Sequence, residues 1–205
     1  MSKLAVSLAQ LRKYDQPGPR YTSYPPATHF TETPDLIQGG PDPLSLYFHL
    51  PFCSTQCLYC GCTNIVTNNR ARGAEYLEYI KREVAMRAAF VHDESQVVQL
   101  QLGGGTPTFF EPSELEELGR LVRSHFRIAD EIEAGVEIDP RSLTEEKVQA
   151  LRNAGFNRAS LGVQDINPDV QKTIARIQPL ERIAETNRWL RDSGMESINF
   201  DMIYG

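Results

Sequence analysis

From residue 44 onward, short aliphatic segments alternate with longer amphipathic ones, and that alternation leaves few folds open to the chain. The strand candidates are 44–50, 97–102, 135–139, 158–163 and 198–204. The longest helix candidate is 71–91, with Leu77, Ile80, Val84 and Ala88 on one face. A second follows Pro112 and carries Leu115, Leu118 and Val122. A third runs from about Thr144 to Gly155 with Leu143, Val148 and Leu151 apolar, and a fourth starts at Asn167-Pro168, a good N-cap and first-turn pair. The last carries Leu180, Ile183 and Leu190 and stops at Gly194. Gly155 and Gly194 are helix stops that lead straight into strands. Strand–helix–strand repetition predicts a parallel sheet with right-handed crossovers.

The strand faces choose between an open doubly wound sheet and a barrel. Central parallel strands of a doubly wound sheet are apolar on both sides. Here each strand is one-sided. Leu44, Leu46, Phe48 and Leu50 oppose Ser45, Tyr47 and His49; Val98, Leu100 and Leu102 oppose Gln99 and Gln101. Val136 and Ile138 oppose Glu137 and Asp139, and Ala159, Leu161 and Val163 oppose Arg158, Ser160, Gly162 and Gln164. Ile198, Phe200 and Met202 oppose Asn199 and Asp201. The apolar faces must meet the helices, and the polar faces must line a wet or ligand-filled space, because unpaired buried polar groups are costly. The reading is an α/β chain, a partial (β/α) barrel of about five βα units with a parallel sheet and a site at the strands' C-terminal ends. Residues 1–43, rich in Pro and Gly after a short amphipathic stretch around Leu4, Leu8 and Leu11, read as an N-terminal extension to a 44–205 core.

Composition excludes several classes. Hydrophobic residues make up 40% of the 205 and charged residues 23%, ordinary globular values that rule out bulk disorder. The net charge of -6 argues against a nucleic-acid backbone binder, which wants a basic surface. No apolar run approaches the ~20 residues that span a bilayer, and the N-terminus lacks the apolar stretch of a signal peptide. The expectation is a cytoplasmic protein with no membrane or nucleic-acid partner.

All 4 cysteines lie together, as Cys53, Cys57, Cys60 and Cys62, in the loop YFHLPFCSTQCLYCGC that follows the first strand. A disulfide scaffold would spread them to staple distant loops. This spacing points to a metal or redox site. Structural zinc prefers two C-x2-C knuckles, and the second is missing. Three close thiolates can instead face three corners of an iron–sulfur cube and leave the fourth iron without a protein ligand from the triplet. GGGTP, at 103–107, follows the second strand and leaves backbone N–H and C=O groups uncovered for an amino or carboxylate group. It is not a dinucleotide fingerprint, and Pro107 argues against helix continuation.

C-x3-C-x2-C with Tyr59 before the third cysteine resembles the radical S-adenosylmethionine enzymes, and GGGTP matches their S-adenosylmethionine-binding glycine motif. PRYTSYPPATHF, LYFHLPFC, CLYCGC, GGGTPTFF, VEIDPR, GFNRASLGVQD and NFDMIYG together are similar to the oxygen-independent coproporphyrinogen III oxidase family, from about Arg20 to the last residue. That family is considerably longer, so the chain resembles its N-terminal portion, truncated at its C-terminal end and without the sixth βα unit or the C-terminal domain.

The resemblance implies a [4Fe–4S] cluster on Cys53, Cys57 and Cys60 and two S-adenosylmethionine molecules. It assigns Tyr47, Gly104 and Glu137 to the first and Tyr59, Gly105, Thr106, Gln164, Arg176 and Asp201 to the second. It implies a 5′-deoxyadenosyl radical that takes hydrogen from a propionate of coproporphyrinogen III. Two propionates become vinyl groups, giving protoporphyrinogen IX in haem biosynthesis. An electron donor such as flavodoxin or ferredoxin and a monomeric state are implied as well. Cys62 is implied to be a non-ligand needed for activity, and typical haem chaperones of the superfamily lack it. His49 shares the interior face with Tyr47, as a core histidine or as a neighbour of substrate or cluster. Arg20, Tyr21 and Tyr24 lie in a stretch that either folds over the site or is a linker. A haem chaperone using the same cluster, a cluster-binding fragment without turnover and a small zinc protein are the alternatives.

Overall fold

The computed structural model describes Leu8–Tyr14 and residues 41–203. Two compact units divide the chain, Met1–Ile37 and Gln38–Gly205. In the first, the described element is the helix α1, Leu8–Tyr14. Arg20, Tyr21 and Tyr24, as well as Leu4 and Tyr204, lie outside the described residues.

In the second unit the order is β1 (Leu44–Leu50), β2 (Phe52–Cys53), β3 (Ile65–Val66), α2 (Ala71–Ala88) and β4 (Gln96–Gly104). Then come a 3-10 turn (Pro107–Phe109), α3 (Pro112–His125), β5 (Arg127–Ile138) and α4 (Glu145–Asn153). The last elements are β6 (Arg158–Gln164), α5 (Pro168–Thr173), α6 (Leu180–Asp192) and β7 (Ser197–Met202). The main sheet runs β1-β4-β5-β6-β7, and every pair is parallel. Strand order follows chain order and the sheet has two edges, so it is an open arc of a (β/α) barrel.

Local chemistry accounts for the helix boundaries. Pro112 opens α3 behind a Glu111–Glu114 capping box. Thr144 caps α4 by accepting from the Lys147 N–H, and Asn167 caps α5 by accepting from the Asp169 N–H. Gly155 and Gly194 end α4 and α6 as expected, both at positive φ.

The helices cover one face of the sheet. Leu77, Ile80 and Val84 of α2, Leu115, Leu118 and Val122 of α3, Val148 and Leu151 of α4, and Ile183 and Leu190 of α6 form one core with Leu50, Leu102, Val136, Ile138, Leu161 and Val163. Full burial of one such side chain is worth roughly 1.5–3 kcal/mol. The opposite face is polar, as the alternation predicts, and lines a cavity of about 410 Å³ with Ser45, Gln99, Gln101, Glu133, Arg158, Ser160 and Asn199.

Four expectations shift. The 71–91 helix ends at Ala88. The third strand starts at Arg127, eight residues before the predicted start at 135, because its first half is acidic, exposed and without clean alternation. In β4 a bulge falls at Val98: Leu44 pairs with Val97 and Ser45 with Gln99. Val97, fully buried, therefore takes the core position expected of Val98, which is only half-buried. At the sheet edge, Phe200 and Met202 of β7 were expected against a helix but are 48% and 53% exposed.

Candidate active site

The site lies at the C-terminal ends of the strands, where the polar arc meets the cysteine loop. That loop leaves β1 through Pro51 and is closed by the small parallel pair β2–β3, Phe52 against Ile65 and Cys53 against Val66. Inside it the Cys60 N–H donates to the Cys57 carbonyl (3.1 Å), and the Leu58 N–H donates to the Ile174 carbonyl at the end of α5 (3.0 Å). The Gly105 N–H donates to the Leu50 carbonyl (2.9 Å) and the Thr106 N–H to the Phe52 carbonyl (2.8 Å), so the glycine motif is pinned against the strand that delivers Cys53. A Cβ at position 105 would lie 2.6 Å from the Pro51 carbonyl, so the close approach requires glycine. Gly104 has φ +109, and a Cβ there would strike the His49 ring at 2.6 Å.

One cavity of about 170 Å³ gathers most of the expected site. Cys53, Cys57, Cys60, Cys62, Tyr59, Gly104, Gly105, Thr106, Glu137, Gln164, Arg176 and Asp201 all line it. Tyr47 and His49 do not; they line a neighbouring cavity with Tyr76 and Glu83. They back the wall from behind. The Tyr47 hydroxyl lies 3.3 Å from His49 Nδ1, and His49 Nε2 donates to the Thr63 carbonyl (2.8 Å), tying β1 to the end of the cysteine loop.

Each sulfur of the triplet has a polar neighbour. The Thr106 hydroxyl is 3.4 Å from Cys53 Sγ, and the Asn64 amide donates to Cys60 Sγ at 3.6 Å. Arg141 Nη2 and Arg176 Nη1 each lie 3.5 Å from Cys57 Sγ. Among the described residues no three His, Cys, Asp or Glu side chains converge on one point as ligands of a single ion would. Three thiols lining one cavity, each with a polar neighbour, fit a cluster that takes one sulfur per corner. Burial pushes the Cys53 thiol up, with Cys60, Asp139 and Cys57 adding to it and Thr106 opposing. Cys62, exposed at the rim, is pushed up to about 11 by burial and by Cys60.

Polar groups line the opposite side. Glu137 Oε2 accepts from the Gly104 N–H (3.3 Å), and burial raises its carboxyl above the ordinary range, with Asp201 adding and Gly104 opposing. Asp201 is held by the Ser160 hydroxyl (2.8 Å) and the Asn199 amide (2.8 Å). Gln164 ends β6 with φ +66, a strained conformation for a non-glycine residue, and turns into the cavity wall.

Residues outside the expected set complete the site. Asp139, just past β5, accepts Arg141 Nε and Nη2 in a fork (3.0 and 2.7 Å) and pairs with Arg176 Nη1 at 3.2 Å. Asp139 and Arg176 are buried. VEIDPR contained both Asp139 and Arg141, but nothing in its spacing said that the turn would aim them at Cys57. Ser160 and Asn199 were legible only as polar-face residues, and Asn64 carried no signal in the sequence.

Residues 47–205 match the radical SAM superfamily, and the chain belongs to that superfamily. Membership implies a [4Fe–4S] cluster and S-adenosylmethionine. The chain is 42% identical to the oxygen-independent coproporphyrinogen III oxidase of Helicobacter pylori, over 98% of this chain and 46% of that protein. It is 42% identical to the Pseudomonas aeruginosa enzyme of the same name, over 95% of this chain and 45% of that protein. The solved structure of coproporphyrinogen III oxidase (HemN) from Escherichia coli, described as a radical SAM enzyme, superposes with a TM-score of 0.82. That comparison has 36% identity and covers 96% of this chain and 45% of that one. The chain thus spans about half the length of the curated relatives it matches.

Proposed function

We propose that this chain carries the cluster and S-adenosylmethionine part of an oxygen-independent coproporphyrinogen III oxidase. The observation that carries the reading is the shared cavity: three donor-flanked thiols, the glycine motif and Glu137, Gln164, Arg176 and Asp201 face one space. Cys53, Cys57 and Cys60 would hold the cluster. Gly104 and Glu137 would bind the first S-adenosylmethionine, with Tyr47 behind them. Tyr59, Gly105, Thr106, Gln164, Arg176 and Asp201 would bind a second. When bound, the cluster and S-adenosylmethionine supply a 5′-deoxyadenosyl radical able to take a hydrogen atom from a propionate. Each propionate then loses CO₂ and one electron to become a vinyl group, in the step from coproporphyrinogen III to protoporphyrinogen IX.

The chain's own residues do the positioning. Gly104 and Gly105 line the cavity without side chains, so an amino acid's amine would meet their backbone directly, while the Gly104, Gly105 and Thr106 N–H groups are taken up by Glu137, Leu50 and Phe52. Glu137 and Asp201 accept from an ammonium or ribose hydroxyls, and Arg176 can pair with a carboxylate. The substrate is coproporphyrinogen III, the electron donor a flavodoxin or ferredoxin, and the protein a cytoplasmic monomer. No described helix is long and apolar enough to cross a membrane. Cys62, at the cavity rim and outside the triplet, favours the oxidase over a haem chaperone.

Anaerobic reconstitution tests the reading. The chain should take up four irons and four sulfides, and Cys53→Ser, Cys57→Ser and Cys60→Ser should each abolish uptake. Cys62→Ser should keep the cluster and, in a version extended to the relatives' full length, lose vinyl-product formation. Full iron retention in Cys53→Ser would overturn the cluster assignment.

A further inference from the structure

Cys57 differs from the other two thiols in what surrounds it. Cys53 faces a neutral hydroxyl and Cys60 a neutral amide. Cys57 is buried between two guanidiniums, each 3.5 Å from its sulfur. One carboxylate, Asp139, serves both: it takes the Arg141 fork and the Arg141 backbone N–H (2.9 Å), and it pairs with Arg176. Two more Arg176 hydrogens hold the guanidinium in place, one on Nη2 donating to the Gly162 carbonyl (2.9 Å) and the one on Nε to Gln178 Oε1 (3.2 Å). The Asp139 turn is itself clamped, because Arg182 of α6 donates to the carbonyls of Pro140 and Leu143. The surroundings of Cys57 therefore carry a fixed excess of one positive charge, two guanidiniums against one carboxylate, and neither guanidinium is free to swing away.

We propose that Arg141, oriented by Asp139, is a positioning residue for the Cys57 sulfur and makes that corner the most electropositive side of the cluster, raising the cluster's reduction potential. Hydrogen bonds to ligand sulfur and local net charge are two of the levers that set such potentials. A donor at full charge, in a site shielded from water, acts more strongly than the neutral donors at Cys53 and Cys60. The asymmetry places the incoming electron's strongest stabilisation beside Cys57. Arg141 suits the role because it reaches the sulfur from the turn after β5, while its fork on Asp139 holds the plane of the guanidinium fixed.

This inference rests on the cluster reading above, so the experiment separates the two. The reconstituted 205-residue chain is titrated anaerobically with reductant, and the reduced cluster is followed by electron paramagnetic resonance, with iron counted in the same samples. Arg141→Met and Arg141→Gln should lower the ratio of reduced to oxidised cluster about tenfold at a fixed potential, a shift of about 59 mV for one electron. Arg141→Lys, which keeps the charge, should stay within about threefold of the parent. Should the Met and Gln variants load no iron while the Lys variant does, the positive charge is needed to hold the anionic ligand, which also supports the proposal. Loaded Met and Gln variants with the parent's potential would overturn it, as would loss of iron in the Lys variant. A parent chain that takes up no iron would overturn the cluster reading and this inference with it.

Discussion

Glu137 shows how one residue can serve a site at the expense of the fold. Its carboxyl lines the cavity, and burial raises it above the ordinary carboxylate range although the Gly104 N–H donates to it. A carboxyl raised on folding costs stability wherever it is charged, and the cost disappears as pH falls through its folded value. Glu137→Gln should therefore unfold at a higher temperature than the parent at pH 7, with the gain shrinking towards pH 4. The same change should weaken S-adenosylmethionine binding by about 1.5–3 kcal/mol, measured by calorimetry. Equal affinity with equal stability would make Glu137 an incidental wall residue. The polarity of Glu137 was legible from strand alternation. The part Ser160 plays was not, because its bonds to Asp201 and Asn199 cross between β6 and β7 and depend on register, and Asn199 reaches Asp201 along β7 itself.

At the scale of elements, β4 tests how register is set. The bulge at Val98 moves Val97 into the core, and Val98 is left half-buried. Val97→Ala should cost about 1.5–3 kcal/mol, and Val98→Ala less than about 1 kcal/mol, in urea unfolding. The reverse ranking would restore the unbroken alternation. Helix positions were readable because caps and stops are local: Pro112, Thr144, Asn167, Gly155 and Gly194 act within one turn. The first half of β5 was not readable. Its acidic residues Asp130 and Glu131 have little strand propensity and fall in a register break between Ile128 and Glu133, the residues that pair with β4 on either side.

Across the whole molecule, Asp139 joins three segments that are distant in sequence: the cysteine loop, the turn after β5 and the stretch between α5 and α6. Burial would raise its carboxyl, but the Arg141 fork and the Arg176 pair outweigh that and hold it below the ordinary range. A depressed carboxyl stabilises the fold fully above the unfolded value near 4 and loses that stabilisation as pH falls through the folded value. Asp139→Asn should therefore cost about 3–5 kcal/mol at pH 7, the cost of leaving buried charge unpaired. The gap from the parent should narrow below pH 4, as urea unfolding across a pH series would show. A constant gap would mean that Asp139 acts by packing alone.

The sequence alone determined the one-sided strands, the parallel order, the helix caps and glycine stops, and the cysteine triplet and glycine motif at neighbouring strand ends. Each follows from periodicity, from capping within a turn or from close spacing along the chain. Only the tertiary structure decided which polar residues meet. It put Arg141 and Arg176 at one sulfur, set His49 and Tyr47 behind the glycine motif and broke the register at Val98. Those outcomes depend on strand pairing and crossover geometry, which bring together residues separated by tens of positions, as Cys57 and Arg176 are, and no local pattern records such distances.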